Sequence, residues 1–339
     1  RKIEDKAERR KAKKEMADKQ AKWNIVLREK AAIYTQLYEE WMRRFRDKFE
    51  LKDLTEEYGG RPDYKPKDRS FKDGVPFVIW IFTDEEAFHK YHEERLGGRL
   101  PPGVAGYFNP ANGWIFLFDD PGDKPEERVF EVNKNLHEGT HQLEYWFTRQ
   151  RNRWGEPKPS QDAFSEGIAE LLGTAKMDKA RNLEFIEVNV PRLRMMQGMA
   201  KTIEGRGGEY PIFPVEHLVS FGRYAEMQQW AQSASGWPAG LAQNAMAFFY
   251  QQSWAFTYFL NHFENGKYRD NWLAYMRAVL DRETGRGLNK GAFMRAFKIR
   301  DEDEWDEIQE DWEEYLTGTI MKMNPNEYSY TPPKRQEWK

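Results

Sequence analysis

The sequence predicts an α+β protein: a long charged helix, then a small mixed β-sheet with a site-bearing helix packed on it, then a mainly helical C-terminal lobe. Three observations carry this. Residues 1–22 are mostly charged residues and alanine with no glycine or proline, a composition of strong helix formers. Two strand-like stretches, "VPFVIWIF" (75–82) and "AGYFNPANGWIFLF" (105–118), sit close together in the chain. Beyond residue 150 the apolar positions recur mostly at helical spacing.

Taken in order, 1–50 reads as a helical arm. Its first 22 residues form a solvated segment or a basic docking arm for a partner or membrane surface. From Trp23 onward Ile33 or Tyr34, Leu37 or Tyr38, Trp41, Phe45 and Phe49 mark a face that packs on the body. The Gly- and Pro-punctuated stretch 58–74 reads as a linker. After the strand at 75–82, Thr83 with Glu86 reads as a capping box opening the helix "DEEAFHKYHEER". Residues 105–118 read as two short strands joined by an Asn-Pro-Ala-Asn-Gly turn. A helix over about 127–149 completes a sheet lobe of 51–150. The helical lobe, 151–320, reads as helices at about 162–176, 217–232, 241–264, 269–282, 290–298 and 303–316. The tail, 321–339, reads as loosely held.

A net charge of −3 gives no general attraction to phosphate backbones, so nucleic acid is not an expected partner. No run approaches the roughly 18 to 20 apolar residues that span a bilayer. With no cysteine there is no disulfide framework, and neither redox compartment is excluded. The sequence opens on Arg1, so any export signal lies upstream and out of view. The glycine-rich stretches at 204–211 and 285–291 lack the Lys and Ser/Thr of a phosphate-binding loop.

Chemistry concentrates in "NLHEGTHQLEYWF", residues 135–147. On a helix His137 and His141 lie one turn apart on one face, so both can offer a ring nitrogen to one tetrahedral ion. Glu138 is then placed to reach water at the metal, as a general base must. The bland alternative is a helix whose two histidines are accidental. A catalytic zinc site takes three protein ligands, so a further donor is needed. "DAFSEGIAELLGT" (162–174) offers Glu166, with Glu170 at i+4 on the same face. We assign Glu166 as the ligand and Glu170 as the group that hydrogen-bonds a ligating imidazole from behind. Spacing alone also permits the reverse order. Glu144 faces the same way but lies about 10 Å along the axis from His137, too far to share its tetrahedron. Glu144 and Phe147 also occupy the positions where the three-histidine zinc motif needs Gly and His. His89, His92, His217 and His262 read as ordinary surface or hydrogen-bonded histidines.

"HEGTH" followed by "SEGIAE" resembles the glutamate-zincin (gluzincin, peptidase MA-like) metallopeptidases, whose third ligand is the Glu of an E-G-x-A-E/S-like helix start. More closely, the order of the strand at 75–82, "GYF", "HEGTHQL", "SEGIAE" and "YQQSWAFTYFL" is similar to an uncharacterised bacterial family of zincin-like domains, often exported. The resemblance covers roughly residues 30–318. Its two metal motifs are specific and the rest is pattern-level. It implies a zincin-like fold, Zn²⁺ held by His137, His141 and Glu166, and Glu138 as base. Tyr250 stands where aminopeptidase-like members place a tyrosine that hydrogen-bonds the reaction's oxyanion, an interaction worth about 2–4 kcal/mol. An aromatic core helix is the competing reading of the same stretch. Those relatives also carry a G-x-M-E-N segment that holds a substrate's amino terminus. This chain has none, so trimming from the amino terminus is not implied. The strand "GWIFLF" is instead expected to offer an edge to an extended peptide.

The expected function is a zinc metallopeptidase acting on a peptide or protein. A catalytically silent zincin-fold scaffold, or a zinc hydrolase of a non-peptide amide or ester, are the alternatives. The residues name no compartment; the resemblance leans to a periplasmic or secreted one.

Overall fold

The computed structural model describes residues 2–54, 77–101, 103–120, 122, 124–152, 162–203, 205, 212–234, 237, 239–285 and 287–334. The linker read at 58–74, the start of the strand read at 75–82 and most of the 204–211 loop lie outside them.

Helix α1, Lys2–Phe49, runs 48 residues, about 70 Å at 1.5 Å per residue. Residues 11–22 are exposed. From Val26 the helix docks, and Ile33, Leu37, Trp41, Phe45 and Phe49 are buried at every fourth position. The i, i+4 rule read from the sequence is therefore the packing rule of the element. Trp41 stacks on Phe147 with ring centroids 6.0 Å apart and planes 2° from parallel.

Strand β1, Ile79–Phe82, leads to α2, Glu85–Leu96. Asp84, not Thr83, caps α2: its carboxylate accepts from the Ala87 N–H, while Thr83 Oγ1 donates to Asp84 instead. A carboxylate one residue nearer the helix displaces the hydroxyl. Strands β2, Gly106–Asn109, and β3, Trp114–Phe118, complete a sheet of order β1-β3-β2, with β1 parallel and β2 antiparallel to β3. The "GWIFLF" strand is thus central and paired on both sides, so it offers no edge. The free edge near the site belongs to β2. A small aromatic core of Phe88, Phe116 and Phe118 joins α2 to this sheet.

Helix α3, Pro125–Arg151, starts with proline at its first turn, where the missing N–H costs nothing, and with Glu127 bonding back to the Lys124 N–H. A buried charge cluster pins its first half. Lys30 of α1 pairs with Glu131 and, at 3.4 Å, with Asp119, while Lys134 bonds Glu131 and the Phe118 carbonyl.

Helix α4, Ala163–Leu172, is capped by Asp162, which accepts from the Phe164 and Ser165 N–H groups. The sequence reading carried helix to 176, but the chain turns at Gly173 into a hairpin of β4, Ala175–Met177, and β5, Leu183–Phe185. Strands of three residues are too short for a periodic signal. Helix α5, Val190–Ile203, was also unread. Pro191 looks like a breaker, yet it sits in the first turn, where proline is tolerated.

The segment read as one helix at 217–232 is two, α6, Val215–Leu218, and α7, Tyr224–Ser233. Residues Ala239–Asn244 are 3₁₀, followed by α8, Ala245–His262. Helices α9, Arg269–Leu280, α10, Asn289–Phe297, α11, Glu302–Gly318, and α12, Pro325–Tyr328, follow. One large apolar core joins α1, α3, α4 and the later helices. The architecture is α+β and mostly helical, with a small mixed sheet and a long N-terminal helix. No helix among the described residues is long and apolar enough to cross a membrane. The tail is tied down further than expected: Pro332 is buried, and its carbonyl accepts from Arg128 Nη2 at 3.1 Å.

Candidate metal centre

The α3 face carrying His137 and His141 meets the first turn of α4. Two glycines let α3 and α4 sit close against their other neighbours, α1 and α8. A Cβ at Gly139 would lie 2.6 Å from Leu37 of α1, and one at Gly167 would lie 2.0 Å from Thr257 Oγ1 and 2.5 Å from the Ser253 carbonyl of α8. Each glycine directly follows a candidate glutamate, Glu138 or Glu166. At Gly167 the α4 backbone therefore lies close against that of α8, and at Gly139 α3 lies close against the Leu37 and Tyr34 side chains of α1.

His137 Nε2 and His141 Nε2 are 3.2 Å apart, and Glu166 Oε2 is 3.3 Å from each. Donors about 2.0–2.1 Å from a tetrahedral ion stand about 3.3–3.4 Å from one another, so this triangle has the edge lengths of three corners of a zinc tetrahedron. Glu166 Oε2 is buried and makes no hydrogen bond, an orphan that a cation satisfies. No other group of three or more His, Cys, Asp or Glu among the described residues has this proximity. Two imidazoles and one carboxylate are a donor set that could hold a divalent transition metal ion.

Each donor is gripped from behind. Glu170 Oε1 stands 3.5 Å from His137 Nδ1, and Glu170 is itself held by Arg192 (2.7 and 3.1 Å) and Asn189 (2.7 Å). Ser165 Oγ lies 3.4 Å from His141 Nδ1 and donates to Glu144 at 2.7 Å. Glu144 is therefore outside the triangle, as its axial distance requires, and bears on His141 through a hydroxyl. Tyr224 donates to Glu166 Oε1 at 2.5 Å and shares a 2.6 Å hydrogen bond with Tyr250. Tyr250 lies beside His137, ring centroids 6.1 Å apart, and the Arg192 guanidinium lies over its ring at 5.5 Å.

Electrostatics follow from this crowding. Burial alone would lower His141, but the Glu166 and Glu138 carboxylates push it up to about 9. His137 is raised in the same way by Glu166 and Glu170 against its burial. Burial would raise Glu166, yet the two imidazoles hold it well below the carboxylate range. Burial lifts Glu144 to about 7, with His141 opposing. Burial also drives the Tyr224 and Tyr250 phenols far up, assisted by Glu166, so both are protonated donors at neutral pH.

Glu138 does not join the triangle. Its Oε2 accepts the Phe108 N–H of β2 at 2.7 Å. The carbonyl of Ala105, just before β2, accepts from Phe118 of β3, and that of Asn109, its last residue, from Asn112 and Gly113 in the following turn, so by alternation Gly106 and Phe108 turn outward. A cavity of about 630 Å³ opens beside His137, Glu138 and Tyr250. Gly106, Phe130 and Val188 line it, as do Tyr328 to Tyr330 from the tail.

The structure therefore brings His137, His141 and Glu166 together, sets Glu170 behind His137, and puts Glu138 and Tyr250 at the cavity. The remaining histidines lie elsewhere: His92 bonds the Gly98 carbonyl, His89 faces Glu85, His217 packs on Trp230 and His262 bonds Glu187. Sequence reasoning missed Tyr224, Ser165, Asn189 and Arg192. Only Ser165, adjacent to Glu166, had a local signal; the others arrive from separate elements. No family model, curated protein or solved structure matches the chain.

Proposed function

We propose that this chain is a zinc-dependent peptidase of glutamate-zincin type, with a zincin-like arrangement of sheet, α3 and α4. The single observation that carries the reading is the triangle of His137 Nε2, His141 Nε2 and Glu166 Oε2 with edges of 3.2–3.3 Å, set beside a glutamate that is not part of it. A structural zinc site closes its fourth position with a ligand and needs no base; this one offers three donors and an adjacent carboxylate.

His137, His141 and Glu166 would hold the ion. A zinc ion bound there would supply Lewis acidity toward a water and a carbonyl. Glu138, with Oε2 fixed by the Phe108 N–H, keeps Oε1 to take the proton of the attacking water and deliver it to the leaving amine nitrogen. Tyr250, protonated and beside His137, donates to the oxygen on which negative charge develops. An extended substrate would run along the outer edge of β2 and place a side chain in the cavity.

The test pairs metal analysis with digestion of a diverse peptide library. Wild type is expected to bind one zinc and cut a subset of peptides, while Glu138→Gln binds zinc equally and loses at least about 100-fold in rate, the scale of general-base catalysis. Equal turnover by both proteins contradicts the mechanism. Zinc binding with no cleavage of any peptide favours the silent scaffold.

A further inference from the structure

The two oxygens of Glu166 are treated differently by the fold. Oε2 faces the imidazoles, 3.3 Å from each, and Oε1 accepts from the Tyr224 hydroxyl. Tyr224 comes from the first turn of α7, a separate element from both the α4 turn that carries Glu166 and the α8 turn that carries Tyr250. Its ring packs against Phe249, with centroids 6.4 Å apart and planes 82° from parallel.

Counting protons fixes the direction of the chain. A phenol has one hydrogen to donate. A carboxylate oxygen only accepts, so the Tyr224 hydrogen goes to Glu166 Oε1. The 2.6 Å contact between the two phenols then has Tyr250 as donor and Tyr224 as acceptor. The chain runs Tyr250 → Tyr224 → Glu166 Oε1.

We propose that Tyr224 is a positioning residue for the metal centre: by occupying Glu166 Oε1 it holds that carboxylate to one donor oxygen, and by accepting from Tyr250 it parks the second phenol beside the site. The proposal rests on the metal-site reading above. With Oε1 tied, Glu166 presents Oε2 alone, which leaves a coordination position for solvent. The Tyr250 hydroxyl reaches a substrate oxygen only by turning its hydrogen away from Tyr224, a rotation about one C–O bond. Tyr224 thus acts through Glu166 and Tyr250 without touching substrate.

The test compares Tyr224→Phe, Tyr250→Phe and replacement of Tyr224 by 4-aminophenylalanine, which restores a donor on the same ring. Zinc affinity is measured by competition with a chromophoric chelator, and the visible spectrum is taken of each protein loaded with cobalt(II). Melting of the metal-free proteins checks the fold. Tyr224→Phe is expected to weaken zinc roughly 10–100-fold, as loss of an outer partner of a ligand does, and to shift the cobalt bands. The amino analogue recovers most of the affinity, and Tyr250→Phe keeps wild-type affinity and spectrum. The proposal is overturned if Tyr224→Phe matches wild type in both readouts, or if Tyr250→Phe weakens zinc as much. Wild type that binds no zinc overturns the metal site itself along with it, whereas zinc binding without peptidase activity leaves this comparison fully informative.

Discussion

At the scale of single residues, His141 and Glu166 form a charged pair wherever no cation separates them. The folded-state pKa of His141, about 9, lies above its ordinary 6.5. The stabilisation from that pair is therefore fully present below about pH 6.5 and is lost as pH rises through about 9. Zinc takes the neutral imidazole, so binding between these limits must expel the proton. Apparent zinc affinity is expected to climb with pH, by up to about tenfold per unit for one proton, and to level off above about 9. Calorimetry in two buffers of different ionisation enthalpy reads the released proton directly; identical heats in both would contradict the pairing. The same two residues also show why the order of Glu166 and Glu170 was open in the sequence. Both face one way on α4, and only the approach of α3 decides that Glu166 meets the Nε2 side and Glu170 the Nδ1 side.

At the scale of elements, the contact of α4 with α8 is the joint that sets Glu166 against Tyr250. Gly167 sits in that joint with no room for a methyl group. Gly167→Ala is expected to cost about 1–3 kcal/mol as overpacking, seen as a lower melting temperature. It is also expected to weaken zinc, because α4 must back away from α8 and carry Glu166 with it. Unchanged melting would mean that Thr257 yields without moving the helix. The helices α5 and α7 supply Arg192 and Tyr224 from positions 22 to 58 residues distant from the carboxylates they hold. Their sequences carry only amphipathic periodicity, which says that each packs but not on what.

For the whole molecule, the tail closes part of the cavity wall. Tyr328, Ser329 and Tyr330 line it, and Arg128 of α3 anchors the chain at Pro332. Deleting residues 325–339 is expected to raise KM at least roughly tenfold for the best library peptide, since two lining aromatics, Tyr328 and Tyr330, are lost, with kcat and zinc affinity nearly unchanged. A fall in zinc affinity would instead assign the tail to the metal centre. The amino-acid sequence by itself determined what depends on near neighbours along the chain. It set the long helix, the strands of the small sheet, the pair of imidazoles one turn apart and the glutamate between them, because helical and strand periodicity is written within a few residues. Only the tertiary structure decided which strand is the edge, which glutamate faces the imidazole Nε2 atoms, and that Tyr224, Arg192 and Ser165 stand behind the donors. Those choices follow from close packing of elements distant in sequence, and no local spacing encodes which partner a buried face will meet.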